Sequence, residues 1–319
     1  VQLQNLKRGN ISPPVIDAIE DECLPCLSLA GDPIDLLSKG VRSTICASPP
    51  EMLVVSDLSS IESRVLGWVT GCGRMNAVFA DGKDTYKDLA SLLFGVPYDS
   101  VTKEQRTFAK PPVLGAGYGL GAKGMLEYAK AMGVTMTFEE AQHAVYTFRN
   151  TYHEVTAFWT FIITAIENLL IRGVKTRTKW LQIAVSKDKQ FLWITLPSGR
   201  RLAYYQPLWT TWDTPIGLKP SFTYMGIDRA TLKWTRIAAH HGLITENIVQ
   251  AIARDILAVW MIRADRARFH MVLHVHDEIG CLELTDRVEE LNDLIRQPIA
   301  WAPGLLLNAE GYTATRYKK

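Results

Sequence analysis

MVLHVHDEIGCLEL, residues 271–284, carries most of the information about the fold. Two apolar, β-prone runs, Met271–Val275 and Ile279–Leu284, flank His276, Asp277 and Glu278. Runs of this length around a short polar break predict a tight antiparallel hairpin with acids at its tip. More than two hundred residues earlier, Met52–Val55 is another short apolar run, ending at Ser56 and Asp57, and reads as a buried strand. A carboxylate at a strand end is held rigidly while its oxygens remain accessible. Two such groups brought together form a hard, oxygen-rich site suited to Mg²⁺. Two ions about 3.5–4 Å apart can activate a hydroxyl and stabilise a leaving oxygen in phosphoryl transfer. Alone, each acid also reads as a turn residue or cap, and spacing does not establish that the two meet.

Between these acids the pattern is mostly helical. Ser12 before Pro13 and Pro14 reads as a capped helix start. Thr102 with Gln105, and Thr137 with Glu140, have the capping-box spacing that opens a helix. After Thr137, the residues Phe138, Ala141, Val145, Phe148 and Tyr152 recur at helical spacing and mark a buried face. Val155–Ile166 is too short an apolar run to span a bilayer and reads as a buried helix. β-prone runs around Pro197-Ser198-Gly199 predict a hairpin over about 191–205, and helical periodicity returns over about 245–263. The order strand, helices, hairpin, helix, hairpin fits an α+β chain with a small antiparallel sheet and a mostly helical insertion.

Composition sets limits without naming a partner. A net charge of +2 over 319 residues gives no global pull toward nucleic acid. Any such surface must come from local clusters: Arg172, Lys175, Arg177 and Lys179; Arg200 and Arg201; or Arg263, Arg266 and Arg268. Each singly reads as a solvated face. Five cysteines, an odd number, argue against a disulfide framework, and the lone Cys23-x-x-Cys26 pair reads as thiols rather than a zinc site. No secretory leader is read at the start, so a cytoplasmic protein without a membrane partner is expected.

Arg106, Lys110, Leu114 and Tyr118 are spaced by four and drift slowly around a helix, forming one stripe that ends at Gly119. Two cations, an apolar residue and an aromatic ring could meet a triphosphate at one end and a base at the other. An ordinary amphipathic helix with two solvated cations has the same pattern.

Together these segments resemble family A DNA polymerases, the polymerase I type, in a bacteriophage-like form. Asp57-Leu58-Ser59-Ser60-Ile61-Glu62-Ser63-Arg64 resembles the first polymerase motif. Arg106-x-x-x-Lys110-x-x-x-Leu114-x-x-x-Tyr118-Gly119 resembles the second, and Val275-His276-Asp277-Glu278 the third. Thr245–Gln250 with Ala253-Arg254-Asp255 is similar to a phage-type segment, and Leu3-Gln4-Asn5-Leu6 to a template-primer-contacting one. The resemblance implies a palm over 1–71 and 186–319, with mostly helical fingers over 72–185 and a nucleotide-binding helix at about 102–119. Thumb and exonuclease would be absent, supplied by a separate chain or a missing segment.

The implied activity is template-directed DNA synthesis, adding dNTPs to a primer 3′ end with release of pyrophosphate, in phage replication within a bacterial host's cytoplasm. Asp57, Asp277 and the Leu58 carbonyl would hold two Mg²⁺ ions, with Mn²⁺ as a substitute, and Glu278 would be an auxiliary acid. Arg106 would clamp the terminal phosphates, and Lys110 would contact the triphosphate and protonate pyrophosphate. Leu114 and Tyr118 would pack near the incoming sugar and base, and Glu62 paired with Tyr118 would exclude a 2′-hydroxyl. Tyr86 stands where the family has a phosphate-contacting His. His276, Gln250, Asn247, Gln4, Asn5 and Arg64 would contact primer-template DNA, with Arg64 also supporting the first motif. Ser60 replaces the usual Gln, and Leu114 the usual aromatic residue. Pro111-Pro112 inside the second motif predicts a kink. A single-subunit RNA polymerase relative, a non-catalytic binding module and a metal-dependent nuclease are the competing readings.

Overall fold

A computed structural model describes residues 9, 11–214, 217–228 and 230–318. The Leu3–Leu6 segment, with Gln4 and Asn5, lies outside them. Three short helices come first, α1 (Pro13–Glu20), α2 (Leu24–Ala30) and α3 (Pro33–Gly40), followed by β1 (Met52–Leu58). Seven helices follow: α4 (Ile61–Thr70), α5 (Gly73–Ala80), α6 (Thr85–Phe94), α7 (Lys103–Gly115), α8 (Ala122–Ala131), α9 (Phe138–Thr151) and α10 (His153–Arg172). Six strands then run consecutively: β2 (Thr176–Arg177), β3 (Gln182–Val185), β4 (Phe191–Thr195), β5 (Arg201–Thr214), β6 (Gly217–Ile227) and β7 (Trp234–Ala239). The chain closes with α11 (His241–Arg266), β8 (His270–Val275), β9 (Glu278–Glu283), α12 (Val288–Arg296) and β10 (Ala309–Ala314). The α+β class expected from sequence is the one observed.

The chain forms two compact units. The first comprises the residues up to Ser59, Ile256–Pro298 and those from Leu307 onward. Its antiparallel sheet has the order β10-β1-β9-β8. Alternation along β1 places Leu53 and Val55 on one face, packed with Ala47 and Tyr317. On the other face the buried Ser56 hydroxyl donates to Asn292 of α12, and the Trp260 indole donates to the Leu291 carbonyl at 2.8 Å. Arg263, counted above in a basic cluster, donates to the carbonyls of Leu294, Gln297 and Pro298 at 2.7–2.9 Å and so closes the end of α12. Cys23 and Cys26 form a disulfide, correcting the thiol reading; their Cα atoms, 5.3 Å apart at the start of α2, fall within bridging distance.

The second unit comprises Ser60–Asp255 with Ile299–Leu306. Both capping boxes are present, opening α7 at Thr102 and α9 at Thr137. α7 continues through the buried Pro111 and Pro112 to Gly115, and a 3-10 turn, Ala116–Tyr118, follows. Tyr118 is therefore on that turn, not on the helical stripe the spacing predicts. The run at 155–166 belongs to the longer α10, whose 20 residues are long and apolar enough by length and composition to cross a bilayer. Here Val155, Trp159, Ile162, Ala165, Ile166 and Leu169 are buried, and the helix packs against β3, β5 and β6. The second, six-stranded sheet, order β2-β3-β4-β5-β6-β7, goes beyond the single hairpin expected at 191–205. Its β4–β5 turn is fixed to α11, because Asp255 accepts from Arg200 at 2.6 Å and from Ser198 at 2.5 Å.

Candidate active site

The first unit presents the acids. Asp57 is cross-strand from Glu278 on β9 and from Glu310 on β10, and the Leu58 amide donates to the Asp277 carbonyl at 3.0 Å. Asp57, in β1, and Asp277, in the turn that leads into the neighbouring β9, are far apart in sequence and are therefore brought to the same end of one sheet, whose adjacent strands lie about 5 Å apart. Only His276 and Asp277 form the hairpin turn, with His276 exposed at φ 54°. Glu278 begins β9 and is 2% exposed, which corrects its placement at the tip. The Tyr317 hydroxyl donates to the Glu278 carboxylate, and burial together with that carboxylate raises the phenol's pKa.

Like charges directly opposite on a sheet are destabilising unless compensated. The row Glu278, Asp57, Glu310 with Asp277 beside it gathers acids at one end of the sheet, with Glu278 tied to Tyr317. Among the described residues no three His, Cys, Asp or Glu side chains form a ready cage. Mg²⁺ usually takes one or two protein carboxylates, with substrate phosphates and water as its other ligands. Asp57, Asp277 and the Leu58 carbonyl are the donors that fit.

The second unit carries the remaining motif residues. The Tyr118 phenol donates to the Glu62 carboxylate at 2.8 Å. Burial, reinforced by the Glu62 charge and this hydrogen bond, holds the Tyr118 pKa well above its ordinary value, so it remains a donor. Glu62 also accepts from Gln250 at 3.4 Å, and Gln250 donates to Glu246 at 3.3 Å. Arg106 is committed to Asp84 at 2.6 Å and lies 5.1 Å from the Tyr86 ring centroid. Asp84 also caps α6 by accepting from the amides of Tyr86 and Lys87. Burial, with the Asp84 charge, raises the Tyr86 pKa. Lys110, half-buried one turn along from Arg106, has no such carboxylate partner among the described residues, and Leu114 is half-buried beyond it.

Three expected DNA contacts hydrogen-bond within the fold: Gln250 to Glu62 and Glu246, and also Asn247 and Arg64. The Asn247 amide donates to the buried Tyr204 hydroxyl at 3.0 Å. Arg64 donates to the Leu306 carbonyl at 3.0 Å and covers the Phe79 ring at 4.3 Å, which supports α4 directly behind the first motif. Ser60, in place of Gln, adopts φ 53° at the start of α4.

Sequence reasoning missed the residues that hold Tyr118. The Trp159 indole donates to the Gly117 carbonyl at 3.0 Å. Arg149 reaches the carbonyls of Leu120 at 3.3 Å and Gly119 at 3.5 Å. His241 stacks on Trp159 at 4.8 Å, and burial, with the nearby His240 and Arg149, lowers its pKa to about 4. A Cβ on Gly242 would lie 1.8 Å from the Tyr118 carbonyl oxygen. None of these has a local pattern; only the small residue at Gly242 beside two histidines gave any signal.

The sequence model for DNA polymerase family A matches residues 33–193, half of the chain and including the first two motifs. This chain belongs to DNA polymerase family A. It is 35% identical over 292 residues to a DNA polymerase of Bacillus phage SP02, covering 89% of this chain and 44% of that protein. It is 34% identical over 142 residues to DNA polymerase I of Aquifex aeolicus, covering 44% of this chain and 24% of that one. A solved structure titled as the POL domain of Pol1 from M. smegmatis, in complex with DNA primer-template and dNTP, has the same fold. It superposes with a TM-score of 0.57 at 21% identity over 88% of this chain and 42% of that one. The family A chain therefore spans less than half the length of these relatives. In family terms, Asp57 and Asp277 lie in the segments that resemble its first and third motifs, and the Glu62–Tyr118 bond joins those that resemble its first and second.

Proposed function

We propose that this chain is the catalytic part of a DNA-directed DNA polymerase, extending a primer 3′ end with dNTPs and releasing pyrophosphate. The observation that carries this reading is the backbone pairing that brings Asp57, in β1, and Asp277, in the turn before β9, to one end of the first sheet, where they would share divalent cations. Bound Mg²⁺, or Mn²⁺ in its place, would supply Lewis-acid activation of the primer hydroxyl and charge neutralisation at the pyrophosphate. Lys110 contacts the triphosphate and gives a proton to the departing pyrophosphate oxygen, general-acid help typically worth about 10²–10⁴ in rate. Arg106, shared with Asp84, steadies the terminal phosphates beside the Tyr86 ring. Leu114 packs beneath the base. Tyr118, locked to Glu62, occupies the space a ribose 2′-hydroxyl would need. His276 and Gln250 meet the primer-template duplex through shape and backbone contacts, which do not read sequence.

The similarity to a phage polymerase supports a role in phage DNA replication in a bacterial host. The lengths of the relatives support a thumb, and an exonuclease, supplied by further sequence or by another chain.

Primer extension tests this reading. The longest natural protein containing this chain should extend a primed template with dNTPs and Mg²⁺. Asp57→Ala and Asp277→Ala should each reduce extension by about 10²–10³ or more, the scale of a lost electrostatic group at the reacting centre, with unchanged circular dichroism. Normal extension by both folded variants would overturn the assignment.

A further inference from the structure

The six-stranded sheet of the second unit has a face that the polymerase reading does not use. Register sorts its side chains into two sets. Ile183, Leu192, Ile194, Tyr204 and Phe222 are at most 3% exposed and face the side on which α10 packs. On the opposite face Phe191, Trp193 and Tyr205 are half-buried, Arg177, Arg201 and Trp234 are exposed, and Thr223 is buried. There Trp193 lies between Ala184 and Ala203, and Phe191 is opposite Tyr205. Tyr205 is opposite Met225, which in turn faces Arg236.

This face carries a row of rings. Phe191 stacks on Trp193 at 5.1 Å and meets Tyr205 at 5.1 Å, and Tyr205 is 6.3 Å from Trp234, itself 59% exposed. The face is also cationic. Arg177 is opposite Gln182, Arg201 is opposite Thr195 with its guanidinium 4.8 Å from the Trp193 centroid, and Lys219 is opposite Trp212. No paired position on this face, from Arg177 in β2 to Trp234 in β7, is Asp or Glu. Asp213, the acid among the paired positions of the sheet, falls on the other side.

We propose that this face is a platform for single-stranded DNA, with bases stacking on Trp193, Tyr205 and Trp234 and phosphates paired by Arg177 and Arg201. An apolar protein partner would require the rings but not a set of cations without facing carboxylates. A single strand alternates π-faces with anionic phosphates, and proteins that bind it combine aromatic platforms with cationic tracks. A sheet face with rings reached from several strands offers both. The platform is independent of nucleotidyl transfer, and its test needs neither dNTPs nor metal.

The 319-residue chain, in EDTA, is titrated against a short fluorescein-labelled oligo(dT) strand and followed by anisotropy. Trp234→Ala and Arg201→Glu should each weaken binding about tenfold or more, the effect expected for one lost base stack or phosphate contact. Trp234→Phe should retain most of the affinity. Arg201→Glu should flatten the salt dependence, and duplex binding should change less. With bromodeoxyuridine in the strand, photocrosslinks should map to the peptides of β4, β5 or β7. Unchanged oligo(dT) affinity in variants with native circular dichroism would overturn the proposal. So would crosslinks confined to other peptides, or variants that alter sedimentation and not DNA binding, which would make the face a contact between copies of this chain.

Discussion

Glu62 shows how much one side chain can be asked to do. It accepts from Tyr118 at 2.8 Å and from Gln250 at 3.4 Å, so a single carboxylate joins the first motif, the turn after α7 and α11. The Tyr118 phenol cannot ionise near neutral pH, because burial and the Glu62 charge both oppose the phenolate. It therefore stays a fixed donor. A hydrogen bond to a charged group contributes about 1.5–3 kcal/mol. Glu62→Ala removes that restraint and opens space beside the ring. In the polymerase, rNTP incorporation relative to dNTP should rise about tenfold or more, since about 1.4 kcal/mol is tenfold, while correct dNTP insertion falls less. Single-nucleotide insertion kinetics with matched dNTP and rNTP measure this; an unchanged ratio would remove Glu62 from sugar selection. Asp57, Glu62, Tyr118 and Asp277 could be named from the sequence because each falls in a segment with recognisable motif spacing. Arg149, Trp159 and His241 were not, because residues that hold a backbone turn through side-chain hydrogen bonds need no fixed spacing from it.

At the scale of elements, sequence reasoning worked where local chemistry dominates. The capping boxes at Thr102 and Thr137 opened their helices at the predicted residues, and the hairpin over 271–284 formed. It failed where tertiary contacts override local pattern. α7 accommodates Pro111 and Pro112, both buried, and ends before Tyr118. β5 runs for 14 residues through a register shift between Tyr205 and Leu208, where Pro207 and the positive φ of Gln206 make the sequence look like a break. The turn bearing Tyr118 depends on close approach by the start of α11. At Gly242 an added Cβ would meet the Tyr118 carbonyl oxygen at 1.8 Å, a backbone atom that cannot swing aside. Gly242→Ala should therefore cost about 1–3 kcal/mol, as overpacking does, and displace Tyr118. Gly173→Ala, with φ +70° and open space around it, is the control: backbone strain only, away from the turn. Urea denaturation gives both stabilities. Equal small losses at the two sites, with unaltered sugar discrimination in the Gly242 variant, would refute the packing claim.

Over the whole chain, the two units differ in how far apart in sequence their pairings lie. In the second unit's sheet, Thr195 pairs with Arg201 across a five-residue turn, and the six strands follow one another in order. In the first, Asp57 pairs with Glu278 and with Glu310, each more than two hundred residues away. That is why spacing alone could not join the two acids, whereas motif resemblance could. It also has a kinetic consequence. Loop-closure cost grows as (3/2)RT ln n, so pairing β1 with β9 costs roughly 3 kcal/mol more than closing the β4–β5 hairpin from an open chain. Non-local pairings form late when nothing else draws the ends together. On refolding from urea, pulse-labelled hydrogen exchange should protect amides of β4, β5 and β6 in an earlier phase than those of β1, β9 and β10. The end of the first sheet proposed to hold the metals would then be among the last parts assembled, and cation affinity should appear with that slow phase. Simultaneous protection of both sheets would mean that intervening structure draws β1 and β9 together before the local strands pair, and the sequence-distance account of assembly would fail.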